Sequence, residues 1–437
     1  MRFVRAAKLL AVGLMSASLL TLTACGAGSR TGANTATEVA CDFENPSEAT
    51  TVNVLAYNSS AVDPFTNTMV KSCTHDNVTV KHDPIDFGGQ VQKTVATLSG
   101  DKGSYDIIET YSYIIPTYAA EGKLQPLDDL LAKYSDKYQL EAISPEMREL
   151  MSYDGKLYGL PMQAQTHVMA YRKDVFDKLG LKPPTTFEEL RDVAKKIQDS
   201  GEMKYPLALP WNGQADIVTG FGNAMGSQGK LYVDDATKTA NLDSKESQVS
   251  LEEMKSLMPY MDPQVLTFDQ PKVQQQMFNG TAAISMMFSG RMTDLLEQSN
   301  TKHYQDFAFA APPAVFDGGK VFGSLSVDGW SLPKNTSISP DLLFQLIAAS
   351  VSEEASKSAV PAAYPAREGI ATPENTPYAA AADEAIANIP APQPYPYVPA
   401  ISGEITPVVA KVVSGGQSID DGTQQMQKIA EDILAKQ

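Results

Sequence analysis

The sequence predicts an α/β protein with more than one hydrophobic core. Between residues 50 and 120, short β-rich runs alternate with segments of helical periodicity, the pattern of parallel βαβ units. The chain has 437 residues, 43% apolar and 20% charged, enough for two or three domain-sized cores. No internal repeat occurs at solenoid spacing, and the composition is not collagenous, coiled-coil or disordered.

At the N-terminus, Arg2, Arg5 and Lys8 precede an apolar run from Leu9 to Leu22. At about 14 residues the run is short for a membrane-spanning helix, and with its basic start it reads as an export signal. Leu22-Thr-Ala-Cys-Gly26 resembles the lipobox of bacterial lipoproteins, in which the chain is cut before the Cys and its thiol carries lipid. Residues 1–24 are therefore expected to be a lipoprotein signal peptide. Residues 25–48 are expected to be lipidated Cys25 followed by a small, polar, flexible tether. Cys41 and Cys73 then remain in an oxidising location, free for a disulfide or buried as thiols.

In the body, Thr51–Ala56 reads as a first strand, leading into the polar turn Tyr57–Ser60. A helix follows around Pro64–Ser72, then a strand at Val78–His82, a turn at Asp86–Gly89 and a helical stripe of Val91, Val95 and Leu98. Tyr105–Ile108 is expected to be a third strand, with a helix through Ala120. In parallel sheets ligands sit beyond the carboxyl ends of the strands, which places Tyr57–Ser60, Phe87–Gln90 and Glu109–Tyr113 on one edge. The middle region reads as mostly helical. Thr185 and Thr186 stand before Glu188 and Glu189 at capping-box spacing, so a helix is expected over Phe187–Asp199. Asp243 or Ser244 can cap another through Met258. Ala282–Phe288 reads as a buried strand, Pro390–Pro399 as extended, and Ser418–Ala435 as a terminal amphipathic helix.

Much chemistry is excluded or unsupported. Lys plus Arg number 35 against 52 Asp plus Glu, a net charge of −17, which argues against phosphate-directed nucleic-acid binding. There is no Gly-x-Ser-x-Gly elbow and no Gly-x-x-x-x-Gly-Lys loop. Gly220-Phe-Gly222 begins like a dinucleotide loop, but Met225 stands where the third Gly belongs. Four His and three Cys leave little for a transition metal, and no cofactor is expected. His75, His82, His167 and His303 read as surface or hydrogen-bonded residues. The pairs Asp128-Asp129, Asp234-Asp235 and Asp420-Asp421 read as caps or solvated faces. Glycosidase chemistry needs only two carboxylates, so counting alone leaves a secreted glycosidase open.

Five segments carry a resemblance: Tyr153-Asp-Gly-Lys-Leu-Tyr-Gly-Leu-Pro161, Met169-Ala-Tyr-Arg-Lys-Asp-Val-Phe-Asp-Lys-Leu-Gly180, Pro183-Pro-Thr-Thr-Phe-Glu-Glu-Leu190, Phe278-Asn-Gly-Thr-Ala-Ala-Ile-Ser-Met286 and Asp328-Gly-Trp-Ser-Leu-Pro-Lys-Asn335. In this order behind a lipobox, the chain from about residue 50 onward resembles the extracellular solute-binding proteins of bacterial ABC importers, the carbohydrate-binding family related to maltose-binding protein. The resemblance implies a two-lobe periplasmic-binding-protein-like fold with the ligand cleft between the lobes. Multiple hinge crossings are implied, near Met162, Val327 and Arg367. Lobe one would comprise 45–162 plus 328–367, and lobe two 163–327 plus 368–437. It implies a lipid-anchored monomer on the extracytoplasmic face of the cell membrane that captures a mono- or oligosaccharide or polyol without altering it. The protein would hand that ligand to membrane permease subunits served by a cytoplasmic ATPase. The same fold could take a peptide or polyamine, for which Glu109, Asp328 and Glu404 would supply charge.

A sugar has C–H faces suited to aromatic rings and a hydroxyl rim suited to amides and carboxylates. Matched to the family's cleft segments, the candidates are Tyr57 and Asn58 after the first strand, Phe87 before the second helix, and Glu109, Tyr111 and Tyr113 after the third strand. Gln163 and Gln165 follow the first crossing. Trp211 and Asn212 follow Leu207-Ala-Leu-Pro210, and Phe288 and Arg291 close the Ala282 strand. Asp328, Gly329 and Trp330 stand at the second crossing, with Arg367 and Glu404 as weaker candidates. Thr110, and the residues around Met287–Gly290, stand where well-known relatives carry Trp. That puts a long stacking platform for linear maltodextrins in doubt.

Overall fold

Val52 and Val54 point inward from Thr50–Leu55 (β1), while Thr51 faces solvent, the alternation of a strand packed on one side. The structure, a computed structural model, describes residues 36–436 except 235, 391 and 394. The signal at 1–24, Cys25 and the start of the tether lie outside the described residues. Asp63–Cys73 (α1) begins with Pro64 in its first turn and returns the chain to Val78–His82 (β2), parallel to β1 with Thr50 opposite Val78. Asp86 then caps Phe87–Ser99 (α2) through the Gly89 N–H at 2.7 Å. The expected turn at 86–89 is thus already the first turn of the helix.

Ile107–Tyr111 (β3) pairs parallel with β1. It starts and ends later than expected, so Glu109 and Tyr111 belong to the strand and do not come after it. Ile115–Ala120 (α3), Asp128–Tyr138 (α4), Pro145–Leu150 (α5) and a small hairpin of Ser152–Tyr153 (β4) and Lys156–Leu157 (β5) complete the first run.

Leu160–Arg172 (β6) is a 13-residue strand, buried at every position but one. Next come Lys173–Leu179 (α6), Phe187–Asp199 (α7), Leu207–Ala208 (β7), Ile217–Ser227 (α8), Lys245–Leu257 (α9), Gln270–Asn279 (α10), Ile284–Phe288 (β8) and Phe307–Ala310 (β9). Thr186 accepts from the Glu189 N–H, and the Glu189 carboxylate accepts the Thr185 N–H at 2.7 Å, so α7 has the extent its caps predict. Ser244, not Asp243, caps α9. The chain ends with Leu325–Ser331 (β10), Pro340–Ser350 (α11), Glu353–Ala359 (α12), Ala379–Asn388 (α13), Val398–Val413 (α14) and Ile419–Leu434 (α15). Pro399 lies in the first turn of α14, so the Pro-rich stretch is not extended throughout; Pro there lacks only an N–H that a first turn leaves unpaired.

The sheet order is β2-β1-β3-β10-β6-β8-β7, with β9 also on β6. One core gathers Val52, Phe65, Ile107, Leu160, Trp330 and Phe344, and a second gathers Val168, Phe187, Trp211, Phe221, Ile284 and Val409. The strand β6 serves both. Its first half pairs antiparallel with β10, and its second half pairs with β8 and β9. A third segment joins them, because Gln163 bridges Pro365 and the Ala366 N–H donates to Met162 O at 2.9 Å. Three chain segments thus run side by side between the cores. A disulfide joins Cys41 to Cys73, tying the N-terminal segment to the end of α1.

Candidate functional site

The parallel strands β1 and β3 end on one edge, and the residues at those ends form one wall with the start of α2. The Tyr57 N–H donates to Glu109 Oε2 at 3.0 Å, while Glu109 Oε1 is buried without a partner. Buried Gln90 of α2 positions two neighbours: its amide donates to the Glu109 carbonyl at 2.8 Å, and its oxygen accepts the Tyr111 hydroxyl at 3.1 Å. Aromatic rings run across this wall. Tyr57 meets Phe87 edge-on at 5.6 Å, Phe87 meets Tyr111 at 5.5 Å, and Tyr111 stacks on Tyr113 at 5.7 Å with planes 7° apart. Phe87 is 48% exposed and Tyr113 51%, so two apolar rings stand open to a partner.

The crossing strands form the floor. Gln163 Nε2 donates to Asp328 Oδ2 at 3.2 Å, leaving Gln163 Oε1 unpartnered, and the Gly290 N–H donates to Gln165 Oε1 at 3.0 Å. Burial pushes the Asp328 carboxyl up to about 7, against the hydrogen bonds from Gln165 and Gln163. Burial also pushes Glu109 well up, and the charge of Asp328 adds to the effect. Asp63, which accepts the Asn58 amide at 3.1 Å, is raised to about 6 by burial.

The other wall belongs to the second core. Arg291, just past β8, donates to Gln274 Oε1 at 3.2 Å, and burial lowers its pKa. His167, Trp211, Asp216, Gln270 and Phe288 line a small cavity of about 20 Å³. Burial, then the charge of Asp269, raises Asp216 to about 7. The walls touch: Thr117 Oγ1 donates to Pro396 O at 2.9 Å, and Thr293 Oγ1 donates to Pro361 O at 2.7 Å. Tyr57 and Arg291 are half-buried and Tyr113 is exposed, so all three keep free surface.

The structure thus brings Tyr57, Phe87, Glu109, Tyr111 and Tyr113 together at the strand ends, with Asn58 beside Asp63. Gln163, Gln165 and Asp328 lie on the crossing strands β6 and β10, and Arg291 and Phe288 at the end of β8. The other candidates do not join these. Trp330 is fully buried in the first core. Trp211 edges the small cavity of the second core but is only 1% exposed, so neither offers a stacking face. Gly329 is squeezed between strands: a Cβ there would lie 2.5 Å from Leu160 O. Arg367 donates to the carbonyls of Val351, Gln139 and Tyr138 and ties loops together. Glu404 is exposed on α14, and Asn212 accepts the Gln214 N–H within its own turn. Gly220 and Gly222 of α8 lie under Trp211 and Tyr232, a packing reason for the dinucleotide-like spelling. Sequence reasoning missed Asp63, Asp216 and His167. Asp63 stands where a helix-capping acid would, Asp216 has no motif, and His167 is hidden in the continuous apolar spelling of β6. Among the described residues no cluster of His, Cys, Asp or Glu could hold a metal ion, and no helix is long and apolar enough to cross a membrane.

The chain belongs to the bacterial extracellular solute-binding protein family, whose profile matches residues 61–357. Within it, the chain is similar to a maltotriose-binding protein of Pyrococcus abyssi, 30% identical over 48% of this chain and 42% of the relative. It also resembles an erythritol/L-threitol-binding protein of Mycolicibacterium smegmatis, 26% identical over 62% and 61% respectively. The aligned regions thus span about two fifths to three fifths of those relatives' lengths. The fold is that of solved two-lobed sugar-binding proteins. A solute-binding protein of Agrobacterium vitis with bound D-mannitol superposes with a TM-score of 0.75, 20% identity and coverage of 88% of this chain and 98% of the other. Maltose-bound MalE3 of T. maritima gives 0.78, with 16% identity over 87% and 99%.

Proposed function

We infer that this protein captures a carbohydrate or polyol outside the cytoplasm for an ABC importer and releases it chemically unaltered. The observation that carries this reading is the ring series Tyr57, Phe87, Tyr111 and Tyr113 beside Glu109, Asp328 and Gln163. Rings match the C–H faces of a sugar, and acceptors match its hydroxyls. The relatives named for maltotriose and for erythritol support the class of ligand. On this reading lobe one is 45–162 plus 328–367 and lobe two 163–327 plus 368–437, with the ligand held between them. The protein acts as a monomer, anchored through lipid on Cys25, and docks on a membrane permease. No residue is assigned a catalytic role.

Isothermal titration calorimetry across mono- and oligosaccharides and polyols tests the reading. At least one should bind, and Phe87→Ala and Tyr113→Ala should each weaken it by about tenfold, the scale of a lost ring contact with its buried area. No heat from the whole panel while another solute class binds tightly, or recovery of a cleaved ligand, would overturn it.

A further inference from the structure

Two helices beside the site carry the same device. The helix α2 starts from the capping carboxylate of Asp86, and α10 starts from that of Asp269, which accepts the Lys272 N–H at 2.9 Å. Just over one turn past the cap, each helix turns a glutamine inward: Gln90 is 1% exposed and Gln274 is 6% exposed. Gln90 Nε2 donates to the backbone carbonyl of Glu109 at 2.8 Å and to Thr94 Oγ1 at 3.2 Å, while its Oε1 accepts the Tyr111 hydroxyl at 3.1 Å. Gln274 Nε2 donates to the backbone carbonyl of Arg291 at 3.1 Å and to Asp294 Oδ2 at 3.0 Å, while its Oε1 accepts from Arg291 Nη1 at 3.2 Å. In both, the amide nitrogen holds a backbone carbonyl in or just past a strand, and the oxygen holds a side chain of the site.

The residue type follows from the partners. A backbone carbonyl only accepts and a guanidinium only donates, so the group between them must do both in fixed directions. A primary amide does. An ionised carboxylate would set a second acceptor against the carbonyl, and an apolar side chain would leave buried groups unpaired.

The groups held in this way belong to the two walls. Tyr111 lies between Phe87 at 5.5 Å and Tyr113 at 5.7 Å, whose rings are open, and its hydroxyl hydrogen is spent on Gln90. The bond fixes the middle ring of the series. Arg291 is half-buried and lies within electrostatic reach of Tyr57 on the opposite wall. Its side chain is long and rich in rotamers, and Gln274 holds it at both ends, by its carbonyl and by its guanidinium. A side chain already held loses less freedom when a ligand arrives.

We propose that Gln90 and Gln274 are positioning residues for ligand capture, one behind each wall: they hold Tyr111 and Arg291 in the geometry that receives the ligand, without touching it. This rests on the carbohydrate reading and adds to it that affinity is set in part by two amides behind the site.

Calorimetry of the full chain tests this with D-mannitol, erythritol, maltose and maltotriose, using whichever binds the parent protein most tightly. Gln90→Met and Gln274→Met keep the length of the side chain and drop the amide. Each should bind about three- to tenfold more weakly, the scale of one side chain left to be ordered. Gln90→Met should cost nothing further when added to Tyr111→Phe, nor Gln274→Met when added to Arg291→Met, because the held group is already gone. A purely structural role would lower the thermal midpoint and leave the affinity of the folded protein at the parent's value. That result overturns the proposal and leaves the carbohydrate reading standing. Equal losses with and without the held group overturn it as well. If no probe binds, crystal structures of the two methionine variants decide. Tyr111 still stacked on Tyr113 with Arg291 in its parent rotamer overturns the proposal; displacement of both upholds it, whatever the ligand proves to be. If Gln90→Met does not fold, Tyr111→Phe breaks the same bond from the other end, and parent-like affinity there is the overturning result.

Discussion

At the scale of single residues, Asp328 concentrates the physics of the site. It is 3% exposed, lies on the central strand β10, and is held near neutral pH by burial. A carboxyl that keeps its proton more tightly when folded favours the folded state at low pH. The advantage is lost as pH rises from the unfolded value near 4 through about 7. His167, pushed down to about 4 by burial, works oppositely, costing stability as pH falls from 6.5. The clean measurement is therefore a difference. Asp328→Asn should raise the thermal midpoint of the ligand-free protein more at about pH 8 than at about pH 5, by on the order of a few degrees. Equal shifts at both pH values would mean Asp328 is ionised throughout. The aromatic candidates show how far one sequence reaches. Phe87 and Trp330 both stand beside Gly and polar residues, and neither spelling reveals that one ring is half open and the other fully buried. That difference depends on which side of a distant strand each ring meets.

At the scale of elements, local patterns were legible where local forces decide. The strand β2 alternates buried and exposed residues as its spelling predicts, and α7 begins where Thr186 can cap it. The strand β3 was misplaced because Glu109 and Thr110 read as loop; burial between two neighbouring strands keeps them in the sheet. Nothing local marks β6 as the strand shared by two cores, since a continuously buried strand spells the same in either. Gly329 shows what the crossing demands. A methyl group there would meet Leu160 O at 2.5 Å and Met151 Cε at 2.8 Å, so β10 and β6 would have to part. Gly329→Ala should cost about 1–3 kcal/mol in urea denaturation. Gly403→Ala, on α14 with nothing within 4 Å of the added atom, should instead stabilise by up to about 1 kcal/mol. Indistinguishable effects would mean that the strand spacing at Gly329 is not tight.

For the whole molecule, the question is what holds the two cores against each other. Crossing segments permit a hinge, and contacts made only when the walls meet set its balance. Thr117 of α3 reaches Pro396, and Thr293 reaches Pro361, each from one core's side to the other's. Each such bond contributes about 0.5–1.5 kcal/mol net. Removing both therefore shifts an open–closed equilibrium by about 1–3 kcal/mol, on the order of five- to a hundredfold. A ligand touching both walls makes good the same deficit through its differential affinity for the closed form. Thr117→Val with Thr293→Val keeps the shape of both side chains and deletes both donors. The ligand-free double variant should show a larger radius of gyration by small-angle scattering than the parent protein. Saturating ligand should return it to the parent's bound value. Affinity should weaken mainly through faster dissociation, because the first encounter involves an open cleft in both proteins. An unchanged radius together with an unchanged dissociation rate would show that these bonds merely accompany closure and that packing along β6 and β10 sets the angle between the lobes.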